Sequence, residues 1–166
     1  HEFEKGAAVW SDAYFTSLAV QTAWDNFWAN TPAPDGVGIQ DHYAKAWQHV
    51  AKRYANEPMV VGFDIMNEPF LGSEAAYIFP LMLSKGAELL ANMPGLGSPS
   101  VEALAYKWST HEGRFEILQI LSDINLYQQV VDAPAELYQQ FEQTKLLDMY
   151  QRVAKEHEQG QIWPCF

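Results

Sequence analysis

Apolar and polar positions fall into two regimes along the chain. One is a helical repeat. In residues 41–55, Tyr43, Ala46, Trp47, Val50, Ala51 and Tyr54 recur at the i, i+3, i+4, i+7 spacing of a single helix face. Asp41 stands where an N-cap belongs, Lys52 and Arg53 suit the negative end of the helix dipole, and Asn56-Glu57-Pro58 stops the helix. The other regime is an almost unbroken apolar run, Met59-Val-Val-Gly-Phe-Asp-Ile-Met66, ending in Asn67-Glu68-Pro69. Such a run predicts a strand buried on both faces, as in a parallel sheet. Gly62, Asp64, Met66 and Glu68 then alternate to one side, with Val61, Phe63 and Ile65 on the other.

A helix, a proline stop and a buried strand make one step of a parallel α/β sheet. Beyond it the pattern returns to helices, at about 73–92, 100–108, 112–131 and 134–157, with Met93-Pro-Gly-Leu-Gly-Ser-Pro99 closing the first. Phe115, Leu118, Leu121, Ile124 and Tyr127 form the expected buried face of the third. Residues 1–40 read as loop, rich in rings (Trp10, Tyr14, Phe15, Trp24, Phe27, Trp28) and punctuated by Gly, Pro and Asp near residues 31–38.

Composition narrows the functions. At 48% apolar and 14% aromatic over 166 residues, the chain can bury a sizeable core. A net charge of −11 opposes binding to nucleic acid or to an anionic membrane surface. No apolar run reaches the roughly 18 residues of a membrane span. One cysteine, Cys165, excludes an internal disulfide, and no Cys–His spacing marks it as a nucleophile. His42 and His49 lie two turns apart, about 10 Å, too far to share a metal unaided. The chain begins with His1 and shows no signal segment, which reads as a processed or excised chain.

The run closing on Asn67-Glu68-Pro69 resembles the fourth-strand signature of the family 5 glycoside hydrolases and their clan. The resemblance implies part of a (β/α)8 barrel around its fourth strand, with Glu68 as general acid/base and Asn67 holding the sugar 2-hydroxyl. His1, Gly6-Ala7 and Trp10, followed by Trp24-Asp25-Asn26-Phe27-Trp28, resemble the loop after the third strand in the endoglycoceramidase-like branch, although Phe3 stands where that branch has Asp. By this resemblance His1 contacts substrate, and Trp24 and Trp28 offer flat faces to sugar rings, as aromatics do in binding sites. Asp148-Met-Tyr-Gln-Arg-Val-Ala154 resembles the helix after that strand, which makes residues 70–140 a helical insertion on the catalytic face, a lid or groove extension. The implied substrate is a β-linked glycan or glycolipid, the implied location secreted or periplasmic, and no cofactor or metal is called for.

Retaining hydrolysis needs two carboxyls about 5–5.5 Å apart. Asp64 is about 13 Å from Glu68 along a strand, so it cannot be the partner. It is expected instead to pair with a basic group inside the barrel. Glu102, Glu112, Glu116, Glu136, Glu142, Glu156 and Glu158 all fall in helical or loop contexts. The nucleophile and the other strands are therefore expected from missing sequence or another chain, and the 166 residues alone are expected to be inactive. Two other classes fit less of the pattern. One is a carbohydrate-binding remnant using Trp24 and Trp28, and the other a helical interaction module.

Overall fold

A computed structural model describes residues 12–93 and 97–158. His1, Trp10 and Cys165 lie outside them. The described residues are mainly helical: α1 Asp12–Thr16, α2 Leu18–Trp28, α3 Ile39–Tyr54, α4 Ile78–Ala91, α5 Val101–Ser109, α6 His111–Ile120, α7 Ile124–Val131, α8 Ala135–Phe141 and α9 Leu147–Glu158. A 3-10 turn, Gly72–Tyr77, leads into α4, and a π turn, Glu142–Leu146, links α8 to α9. They fall into two compact units: residues 12–73 with 140–158, and residues 74–93 with 97–139.

The first unit is built on α3 against α9. Ala44 and Ala51 on α3 are buried, and Met149 and Val153 on α9 are fully buried. Two alanines let the helices approach closely, and the larger residues of α9 fill the seam. Asp41 and Arg152, 111 positions apart, join at 2.5 Å, and the Gln48 amide donates to the Glu156 carbonyl at 2.9 Å. The buried stripe of α3 is therefore Gln40, Ala44 and Ala51, with Trp47 and Gln48 half-buried. Val50 and Tyr54, expected inside, are exposed. Asp41 is not the N-cap. Gly38 holds that position, and the cap is remote: Asn30 Oδ1 accepts from the Gln40 N–H at 2.8 Å while its Nδ2 donates to Asp41 at 3.1 Å. A Cβ on Gly38 would stand 2.2 Å from Asn30 Oδ1, so the cap needs glycine there. The asparagine and Arg152 hold the Asp41 carboxyl below its ordinary value, against the opposing effect of burial.

Two further expectations are corrected. Part of the loop expected over residues 1–40 is helix: Ser17 caps α2, accepting from Val20 N–H, and Trp24, Phe27 and Trp28 follow at helical spacing. No strand forms among the described residues. Their one isolated β-bridge pairs Pro32 with Gly38, and residues 60–66 run without a ladder. A parallel strand exists only through its neighbours, and the described residues supply none. The apolar start of the run is left uncovered, Met59 being 84% and Val61 90% exposed.

The second unit holds α4 to α7 around a common apolar interior, with Leu104 and Val130 buried. The helix expected over 112–131 breaks at Leu121-Ser122-Asp123, where Asp123 caps α7 by accepting from Asn125 N–H at 2.9 Å. The break rotates the face: Phe115, Leu118, Ile124 and Tyr127 are exposed. The helix expected over 134–157 is one continuous run, α8, π turn and α9, its backbone staying helical at Phe141 and Leu147. No helix among the described residues is long and apolar enough to cross a membrane.

Candidate active site

Asn67 and Glu68 lie on a bend between the apolar run and the Gly72–Tyr77 turn, both exposed to solvent. Glu68 has φ +46°, in the left-handed region that costs a residue with a Cβ on the order of 1–2 kcal/mol. Such conformations persist only where the surroundings over-determine them.

The surroundings here come from α1, α2 and α3. The Tyr43 hydroxyl donates to the Ile65 carbonyl, ahead of the bend. Behind it, the Trp28 indole N–H donates to the Phe70 carbonyl at 2.7 Å in a buried setting. The Phe70 ring stacks on Tyr14, with centroids 4.7 Å apart, and meets Phe15 edge-on at 5.4 Å. The Ser73 N–H donates to Asp25 Oδ1 at 2.9 Å. Gly72, at φ +81°, runs so close to Asp25 that a Cβ would stand 2.1 Å from that oxygen. Ile65, Phe70 and Leu71 are buried on either side of the exposed pair. The bend is thus held at both ends and open in the middle.

The expected sugar platforms are placed differently from one another. Trp24 is half-buried and stacks on Trp28 at 5.7 Å and 17°. Trp28 is buried, with Phe27 and Phe141 edge-on at 5.1 and 5.0 Å. Its rings and its N–H are committed to protein, so Trp28 serves as core in place of an exposed platform. Asp64 is exposed and has no basic partner among the described residues. Its charge instead acts on Tyr150, whose hydroxyl is pushed up by burial first, then by Asp64 and Tyr43. His1 lies outside the described residues. His42 pairs with Asp35 on the surface at 3.0 Å, and no cluster of three metal-ligating side chains occurs among the described residues.

The anchors Tyr14, Asp25, Asn30 and Tyr43 were not singled out as site residues from sequence. Their partners lie 10 to 56 positions away, and the local signal near them is the Trp24-Asp25-Asn26-Phe27-Trp28 cluster.

Similarity to known proteins falls on this region. Residues 13–90, from the ring-rich helix through the bend and into α4, match the family model of cellulase, glycosyl hydrolase family 5. The particular relatives are endoglycoceramidases. That of Hydra vulgaris is 33% identical over 95 residues, 57% of this chain and 16% of the relative. That of Cyanea nozakii is 36% identical over 63 residues, 38% of this chain and 11% of the relative. Endoglycoceramidase I of Rhodococcus hoagii (strain 103S) is 33% identical over 67 residues, 40% of this chain and 13% of the relative. The matches thus span 16% or less of these relatives' own length. No solved structure matches at a significant level.

Proposed function

We propose that this chain carries the acid/base segment of a retaining glycoside hydrolase acting on β-linked glycans or glycolipids, within part of a (β/α)8 barrel. The observation that carries the reading is the bend 65–73, inside the matched residues, which presents Asn67 and Glu68 to solvent while three hydrogen bonds and stacked rings hold its flanks. Strain at Glu68 supports it, because an exposed glutamate without a task gains nothing from a left-handed backbone.

In this reading Glu68 gives its proton to the leaving oxygen as a second carboxylate attacks the anomeric carbon and the glycosidic bond breaks. Water then attacks the glycosyl–enzyme ester, and Glu68 takes the water's proton as the ester bond breaks. Asn67 donates to the sugar 2-hydroxyl. Trp24 lies under a neighbouring sugar ring, with Trp28 behind it, and His1 joins from the preceding loop. The nucleophile and the neighbouring strands come from sequence beyond these 166 residues or from another chain, and they cover the bare run at Met59 and Val61. Residues 70–140 form the insertion that extends the binding groove.

Two measurements test this. In the native gene product that carries this segment, Glu68→Gln lowers turnover of an unactivated β-glycan about 10²–10⁴-fold, with the first-formed product in wild type retaining its β configuration by NMR. An inverted product rejects the retaining assignment. The purified 166-residue chain turns over no glycoside, and robust turnover abolished by Glu68→Gln rejects the need for a second carboxylate from elsewhere.

The aromatic cluster of α2 favours a second reading, a non-catalytic carbohydrate-binding remnant. Glycan binding that survives Glu68→Ala and is lost in Trp24→Ala would select it.

A further inference from the structure

We infer that the helical unit of residues 74–139 carries a binding site for a short alkyl segment, independent of the acid/base bend and of the glycosidase reading. Helices α4 to α7 enclose a partly open recess of about 170 Å³. Its wall includes Phe79, Met82, Leu83 and Leu90 from α4 and Trp108 and Ile117 from α5 and α6, and none of its lining residues carries a charge. An engineered apolar cavity of about 150 Å³ stays dry and binds benzene, so this recess has room for about six carbons. The wall offers no charged anchor, which selects an apolar occupant over a sugar or an ion.

Gly86 makes the space. It sits in the interior of α4, where glycine weakens a helix, and a Cβ there would touch only Leu104 Cδ1, at an ordinary 3.7 Å. Alanine would therefore fit and favour the helix, so the glycine is not required by its neighbours. A longer side chain at this position would occupy the recess. The methionines Met82 and Met93 line it as well, and their unbranched thioethers adjust to a guest of varied shape.

The test uses the full chain, labelled at its methionine methyl groups and titrated with 1-butanol through 1-octanol. Saturable shifts of the Met82 and Met93 signals are expected, with Met59, Met66 and Met149 unmoved. Affinity should rise about fourfold per added methylene and level off near six carbons. Gly86→Leu should lose binding at least tenfold, and Gly86→Ala should keep it. Should Gly86→Leu fail to fold, Leu121→Trp fills the recess from the α6–α7 turn and decides the same point. Phosphatidylcholine vesicles added in place of the alcohols separate the sources. Shifts of the same two signals mean a chain drawn from a bilayer, and shifts with alcohols only mean a monomeric amphiphile. Shifts of all five methionines in parallel, affinity that keeps rising with length, or undiminished binding by the filled variants would overturn the inference.

Discussion

The Trp28 indole N–H donates to the Phe70 carbonyl at 2.7 Å, tying the end of α2 to the chain two residues beyond Glu68. Both groups are buried, so the bond supplies the donor that the Phe70 carbonyl needs. Trp28→Phe keeps most of the ring packing and removes the donor. We expect it to destabilise the first unit by about 1–3 kcal/mol, read by urea unfolding of the 166-residue chain. A loss near zero would mean that the bend does not depend on α2.

Backbone strain at Glu68 gives a prediction of opposite sign. Asparagine tolerates the left-handed region, and a β-branched residue does not. Glu68→Asn is expected to raise stability by about 0.5–1 kcal/mol, and Glu68→Val to lower it by about 1 kcal/mol or more. Equal melting temperatures for the three proteins would show that no strain resides there.

Gly72 combines a positive φ with close approach to Asp25. Gly72→Ala should cost about 1–2 kcal/mol, because the added Cβ meets both an unfavourable backbone region and the Asp25 carboxylate that accepts from Ser73. The amide proton of Ser73 should then exchange faster with solvent. Unchanged exchange would separate the glycine from the anchor.

The Asp41 carboxyl predicts an acid dependence. Its folded pKa lies below the ordinary 3.8, held down by Asn30 and then Arg152. A depressed carboxyl contributes stability that is full above the unfolded value and is lost as pH falls through the folded one. Wild type should therefore exceed Asp41→Asn in stability near pH 6, with the gap closing below about pH 3.8. Both partners are more than a third exposed, so the gap should stay within about 1 kcal/mol. A gap that persists unchanged at pH 2 would contradict the assignment.

Much of the first unit was legible in the chain because its signals are local. The α3 helix announces itself by periodicity, and the end of the apolar run by the abrupt change from Ile65-Met66 to Asn67-Glu68-Pro69. What was misread depends on partners distant in sequence. The buried stripe of α3 is set by α9, so Val50 and Tyr54 fell on the wrong side. The cap of α3 comes from Asn30, ten positions before the Gln40 amide it serves. The run 59–66 has strand composition, yet ladders need neighbours that composition cannot provide. Trp28 has the rings of a sugar platform, and only burial shows them committed to Trp24, Phe27 and Phe141.

The central claim is that the carboxyl of residue 68 moves the proton in glycoside hydrolysis. In the native gene product carrying Glu68→Gln, a dinitrophenyl β-glycoside needs no acid for its leaving group, so the glycosyl–enzyme forms and waits for a base. Azide, which needs none, should restore turnover and release the β-glycosyl azide. Full activity of that variant without azide, or no glycosyl azide at any azide concentration, would contradict the account.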